Sequence, residues 1–299
     1  MADITKYRSF VLPVAIVLGL LLHNWCAYAQ FIIPYMIFTI LLMNYSAVDV
    51  KKLKPTMLDL WLVLFQICFS IGPYLLLKAA GAGEIISQGV LIIVLCPVAA
   101  SAVVISCMLG ANRETVTTYT IIGNLMVSLV GPLVFSFIGI HQDMGFLNAF
   151  WMIFRKTFLI IAAPFLLAVA GQKWTPRVNG FICRIKGLSF YLWAITLTVT
   201  LGQTIHYIFL HGRENASSII ILGSASVLLC AVQFATGKWL GSRYGDRMAG
   251  GQLLGQKNVA MGVWMANTFL MPLASVGIAL YSICQNLFNS WQMFRHKGA

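Results

Sequence analysis

The chain has 299 residues, of which 60% are apolar and only 9% charged, and its mean hydropathy is +0.86. A soluble domain carries about 25% charged residues, so this chain cannot cover a water-facing surface, and a bilayer is its solvent. The formal net charge of +12 does not mark a nucleic-acid partner, because the basic residues sit in short connections between apolar runs, where they orient a membrane protein.

At roughly 20 residues per span plus short connections, this length holds about ten helices and leaves no room for a separate soluble domain. In chain order the apolar runs fall near 9–23, 30–45, 57–78, 85–109, 115–140, 148–171, 188–211, 217–240, 248–269 and 272–293. The first, from Ser9 to about His23, has no small-residue cleavage site and reads as an uncleaved span. The segment Asp143–Phe154, with Phe146, Phe150, Trp151 and Phe154, reads either as an interfacial approach to the sixth span or as part of it.

Placing the N-terminus in the cytoplasm gives fifteen basic residues on that side: Lys6, Arg8, Lys51, Lys52, Lys54, Arg113, Lys173, Arg177, Arg184, Lys186, Lys238, Arg243, Arg247, Arg295 and Lys297. Four lie opposite: Lys78, Arg155, Lys156 and Arg213. This bias predicts an even number of spans with both termini cytoplasmic, in the plasma (inner) membrane.

Two runs are interrupted. The fourth carries Cys96-Pro97 at mid-run, and proline removes a backbone donor and disfavours helix in the preceding residue. In the ninth, Gly250, Gly251, Gln252, Gly255, Gln256, Lys257 and Asn258 crowd the first half. Lys257 is the only ionisable residue well inside a run, since Asp59 lies within a turn of an end and Arg155 and Lys156 can snorkel. A lysine at mid-membrane costs about 3 kcal/mol or more, so such residues usually face a cavity and serve function. A later start of the run, or snorkelling, is the structural alternative. The breaks lie five spans apart, so the two halves, 1–140 and 141–299, read as inverted repeats, and matching breaks in inverted halves point to a transporter's binding site.

The seven cysteines (Cys26, Cys68, Cys96, Cys107, Cys183, Cys230, Cys284) show no metal-ligand spacing and read as buried free thiols. The five histidines (His23, His141, His206, His211, His296) are dispersed. No GxSxG motif, His/Glu cluster or pair of intramembrane carboxylates supports a membrane enzyme. The alternatives to transport are a non-transporting receptor on the same fold and an arsenite-type exporter using Cys96 at the fourth-run break.

The paired blocks from Cys96-Pro97 through Asn112 to Gly131-Pro132, and from Gly255-Gln256-Lys257-Asn258 through Pro272 and Gly277 to Gln285-Asn286 and Trp291, resemble the bile acid:sodium symporter family. The resemblance covers most of the chain. It implies an all-α membrane protein of ten spans in two inverted five-helix repeats, with spans 3–5 and 8–10 as a core domain and spans 1, 2, 6 and 7 as a panel. The broken fourth and ninth helices would cross beside the substrate cavity. It implies a small organic anion as substrate (a small carboxylate, bile acid or sterol sulfate), no cofactor other than sodium, and a lipid bilayer as the surrounding partner.

On this resemblance Asn258, Gln285 and Asn286 match substrate positions, with Ser101 and Lys257 beside them. Lys257, Thr120, Gln252 and Gln256 are the candidates for ion coupling. The family's Ser-Asn sodium ligands fall on Ala102 and Val103, a ligand serine on Val116, its ninth-helix glutamate on Leu253 and a nearby glutamine on Lys257. Sodium prefers a cage of oxygens, normally with a carboxylate. With eight acidic residues in all and none well inside a span, the sequence predicts weak or absent sodium coupling. The expectation is that the Lys257 ammonium takes the cation's place, exchanges a proton or binds the anion directly.

Overall fold

The computed structural model describes residues 8–99, 101–140 and 142–297. Lys6, Ala100 and His141, and the side chains of Arg8, His296 and Lys297, lie outside it. The described residues form helices and short connections, with no β-sheet among them. In chain order the helices are α1 (Arg8–Leu21), α2 (His23–Tyr28), α3 (Ile33–Ser46), α4 (Met57–Ala79), α5 (Glu84–Leu95), α6 (Ala102–Met108), α7 (Arg113–Ile138), α8 (Phe146–Thr157), α9 (Ala163–Trp174), α10 (Pro176–Arg184), α11 (Leu188–His211), α12 (Ala216–Arg243), α13 (Arg247–Gly255), α14 (Val259–Phe269) and α15 (Ser275–Lys297).

Six helical stretches are long and apolar enough to cross a membrane: His23–Ser46, Met57–Ala79, Arg113–Ile138, Phe146–Trp174, Leu188–His211 and Ala216–Arg243. The chain is thus a multi-pass helical membrane protein. The second of the apolar runs begins earlier than its composition suggests. His23 reads as the end of the first run and Asn24 and Trp25 as a connection, yet they contain no glycine or proline and form α2, joined to α3 by a 3₁₀ turn at Ala29–Ile32. The segment before the sixth run is a 3₁₀ turn at Gln142–Met144 that ends at Gly145 (φ 75°), followed by helix from Phe146. Phe146, Phe150, Phe154 and Phe158 stack along it, and a π-helical turn at Phe158–Ala162 precedes Pro164. The exposed helix α10 lies in a connection where no element is apparent from hydropathy.

Side-chain caps start the helices of the interrupted region. Thr56 and Asp59 make a capping box at α4, with the Asp59 Oδ2 accepting from the Thr56 N–H at 2.6 Å and the Thr56 hydroxyl at 2.9 Å. Asn112 Oδ1 accepts from the Glu114 and Thr115 N–H groups to start α7. Asp246 joins two starts, since its Oδ1 accepts from Ala249 N–H in α13 and its Oδ2 from the Asn112 N–H.

Two compact units emerge. One comprises Met1–Ala47 and Leu159–Ala216 and contains α1–α3 and α9–α11. Within it α1 lies along α11 so closely that a Cβ on Gly19 would stand 2.9 Å from the Gly202 nitrogen. Gln203 Nε2 donates to Gln30 Oε1 at 2.6 Å, and the His23 and His206 Nδ1 atoms stand 3.4 Å apart.

The other comprises Val48–Phe158 and Ser217–Ala299 and contains α4–α8 and α13–α15 with nearly all of α12. Here α12 and α15 run parallel. The Ser226 hydroxyl donates to the Gly277 carbonyl at one end, and Phe234 packs on Phe288 further along. Small residues let α13 press into α12: a Cβ on Gly250 would strike the Gly237 carbonyl oxygen and the Gly241 backbone, and one on Gly255 would enter the Phe234 ring. Replacing Gly250 with Leu is expected to lower the apparent melting temperature of the purified protein by the equivalent of roughly 1–3 kcal/mol, the usual cost of overpacking. Gly72→Ala, which meets nothing within 4 Å, is expected to leave it unchanged.

Candidate functional site

The fourth and ninth runs break where the sequence places the interruptions. α5 ends at Leu95 and α6 begins at Ala102, while α13 ends at Gly255 and α14 begins at Val259. The two breaks belong to the same unit and meet. Val98 and Lys257 form an antiparallel β-bridge, closed by Ala99 N–H donating to the Gln256 carbonyl at 3.1 Å and Asn258 N–H donating to the Pro97 carbonyl at 2.8 Å. Each interrupted backbone is therefore the other's hydrogen-bond partner.

Further polar backbone groups at the breaks are answered by side chains from α4 and α15. Gln66 of α4 donates from Nε2 to both the Leu95 and Cys96 carbonyls at 3.0 Å, and Tyr119 of α7 donates its hydroxyl to Gln66 Oε1 at 3.0 Å. Tyr281 of α15 donates to the Gly255 carbonyl at 2.7 Å. Gln285, also on α15, brackets Lys257. Its Oε1 accepts from the Lys257 N–H at 2.8 Å, and its Nε2 donates to the Lys257 carbonyl at 3.2 Å.

The Lys257 side chain is 1% exposed, and its Nζ donates to the Val94 carbonyl at 2.8 Å. Val94 lies in the last turn of α5, so the ammonium sits at the electronegative end of a half-helix. Among the described residues Lys78–Glu84 is the one ion pair within 4 Å, and Lys257 has no carboxylate partner. A carbonyl at the helix end is its hydrogen-bond partner. The Cys96 thiol, fully buried, donates to the Asn258 carbonyl at 3.1 Å.

The residues singled out in the sequence separate into three groups. Lys257 and Gln285 meet directly, and Gln256 Nε2 reaches the Ser101 hydroxyl across the two breaks at 2.9 Å. Asn258 caps α14, its Oδ1 accepting from Met261 N–H at 3.3 Å. Thr120 and Asn286 are bonded within their own helices, to the Val116 and Ser282 carbonyls, and Gln252 turns to Asn289 and Gln292 rather than to the crossing. Gln66 and Tyr281 are hydrogen-bond partners of the breaks that the sequence reading missed. The available signal was a glutamine alone in the middle of the third apolar run.

Ala102, Val116 and Leu253 are buried in one apolar cluster with Leu58, Leu62, Val98, Tyr119, Leu240, Ala249 and Leu254, and Val103 packs against it. Among the described residues no group of three or more His, Cys, Asp or Glu side chains is placed to hold a metal ion. Compared with known proteins, the chain matches no family model and no curated protein.

Gln285→Leu strips Lys257 of both backbone partners, and each buried polar group left unsatisfied costs about 1–3 kcal/mol. The expected outcome is a melting temperature well below that of the unmodified protein, whereas Asn286→Leu, which removes only a bond within α15, leaves it nearly unchanged. Differential scanning fluorimetry on the two variants checks this.

Proposed function

We propose that the chain is a secondary transporter of an organic anion, built on the ten-span inverted-repeat plan of the bile acid:sodium symporter family. The observation that carries the reading is the crossing of two interrupted helices around a buried, carboxylate-free ammonium. Irregular backbone at membrane depth is tolerated where it is buried in protein or lines a water-filled cavity, and half-helix ends at such points bind the substrates and ions of transporters.

Two further features support it. The four spans needed beyond the six long apolar ones are α1, the pairs α5–α6 and α13–α14, and α15, which correspond to the first, fourth, ninth and tenth runs. The unit holding α1–α3 and α9–α11 contains spans 1, 2 and 7 of the expected panel with the second half of span 6, and the other unit contains spans 3–5 and 8–10 together with α8, the first half of span 6. In this reading the repeats are 1–140 and 141–299, and both termini are cytoplasmic.

Sodium does not fit most of the positions where the family ligates it, although Thr120 matches a ligand threonine of the family. Ala102, Val103, Val116 and Leu253 offer no side-chain oxygen, and they lie in or against a single apolar cluster. An ion there would lose its hydration with nothing in exchange. The Lys257 ammonium supplies the positive charge instead, fixed to the chain and held by the Val94 carbonyl. Transport is then independent of sodium, and the anion meets a positive site made by Lys257 and the N-terminal end of α14. The arsenite-type alternative loses ground, because the Cys96 thiol is enclosed and already donates to Asn258.

Reconstituted into proteoliposomes, the protein is expected to take up labelled carboxylates or sterol sulfates equally well in sodium and potassium media. Lys257→Ala and Lys257→Gln are each expected to reduce uptake at least about tenfold, the cost of a charge-assisted contact. Sodium-dependent uptake would refute the substitute-cation role. Full uptake by both variants at every pH would refute any essential role for the lysine.

A further inference from the structure

The ends of α12 and α15 carry cations that the crossing does not use. Lys238 of α12 stands over the Phe288 ring of α15, its Nζ 5.0 Å from the ring centre, and Phe288 lies against Trp291 at 5.5 Å. Each helix also brings an arginine over a tryptophan one turn earlier: Arg243 over Trp239 at 4.3 Å, and Arg295 over Trp291 at 4.9 Å. Among the described residues none of these three cations forms an ion pair. Asp246, the carboxylate nearest to Arg243 in sequence, accepts instead from the Ala249 and Asn112 N–H groups.

The arginines crown two exposed apolar lines. On α12, Val227, Ala231, Ala235 and Trp239 lead at four-residue spacing to Arg243, and all five are exposed. On α15, Ile283, Leu287 and Trp291 lead in the same way to Arg295, and these four are exposed as well. Both lines lie on the same side of the seam between the helices. The helices run parallel and meet at Lys238 and Phe288. At about 100° of turn per residue, the position after one contact residue and the position before the other therefore swing to one side. Those positions are Trp239 and Leu287.

The surroundings select the chemistry. Helix α12 is long and apolar enough to cross a membrane, so an exposed apolar line along it faces acyl chains, and the tryptophan at its end sits at headgroup depth. A guanidinium above an aromatic ring keeps its N–H donors open to a second partner. At that depth the abundant acceptor is lipid phosphate. A zwitterionic headgroup would bring a cation of its own towards three others, with no free carboxylate to receive it, whereas an anionic headgroup brings none.

We infer that the C-terminal ends of α12 and α15 form a seat for an anionic phospholipid. An acyl chain lies along the Trp239 and Leu287 side of the seam, and the phosphate is held by Lys238, Arg243 and Arg295. The seat depends on α12 crossing the bilayer and not on the transport reading. A lipid held there ties α12, against which α13 packs through Gly250, to α15, whose Gln285 holds the Lys257 backbone.

The test is native mass spectrometry of the full-length protein in detergent, titrated with phosphatidylglycerol or with phosphatidylcholine of the same acyl chains. Phosphatidylglycerol is expected to bind at least about tenfold more tightly, from the attraction of basic residues for anionic lipid. Arg243→Gln/Arg295→Gln is expected to abolish that preference, and Arg243→Lys/Arg295→Lys, which keeps the charge, to retain most of it. Arg155→Gln/Lys156→Gln removes the same charge beside Trp151 on α8, away from the seam, and is expected to leave the preference intact. Equal melting temperatures in lipid-free detergent confirm the fold of each variant, and Lys238→Gln repeats the test with a single change at the seam. Equal affinity for the two lipids overturns the seat. So does an equal loss in the two double glutamine variants, which would mark an effect of net charge alone. Thermal stabilisation by inorganic phosphate as large as that by phosphatidylglycerol overturns the lipid assignment in favour of a free anion.

Discussion

The pairing of two broken backbones is the constraint on which the rest of this structure depends. A single interrupted helix at membrane depth would present bare N–H and C=O groups, each costing several kcal/mol without water to receive it. Here the interruption at Cys96–Ser101 and the one at Gln256–Asn258 satisfy each other through the Val98–Lys257 bridge. What the bridge leaves over falls to Gln66, Tyr281, Gln285 and the Lys257 ammonium, so α4, α5, α13 and α15 are held in register by polar atoms at one point. Packing elsewhere in this unit conforms to that point. Glycines 250 and 255 let α13 approach α12 closely enough for its end to arrive there.

Pairing also explains which prolines break their helices. Pro13, Pro73 and Pro132 lie inside α1, α4 and α7 and are accommodated there, although each removes a backbone donor. Only Pro97 stands where a second chain segment offers hydrogen bonds to an extended backbone. The local cost of proline is similar at all four positions, and the decisive difference is the partner.

That distinction sets what could be read from the sequence. Composition specified the membrane class, and the breaks at Cys96-Pro97 and Gly255–Asn258 were legible because proline, glycine and buried polar residues act locally. Their joint role was legible only as a correspondence between two runs. The beginning of the second membrane helix at His23 was not, because polar residues in a helix look like a connection when hydropathy alone is considered. Nor was the service of Gln66 and Tyr281: they act on carbonyls 29 and 26 residues away in the chain, and no local pattern announces such a contact. The sequence reading correctly singled out Gln252 as a buried polar residue but assigned it to the same station as Lys257, one helical turn and a chain break away.

Helix α13 shows how one short segment separates two environments. Ala249, Leu253 and Leu254 turn towards α4 and α7 and complete the apolar cluster in which Ala102 and Val116 are also buried. Gln252 turns the other way, to α15 and its buried polar face. The side towards α4 and α7 is thus sealed by hydrocarbon, while the Gln252 amide lies on the α13–α15 side. One face of this short half-helix is therefore dry and the other polar.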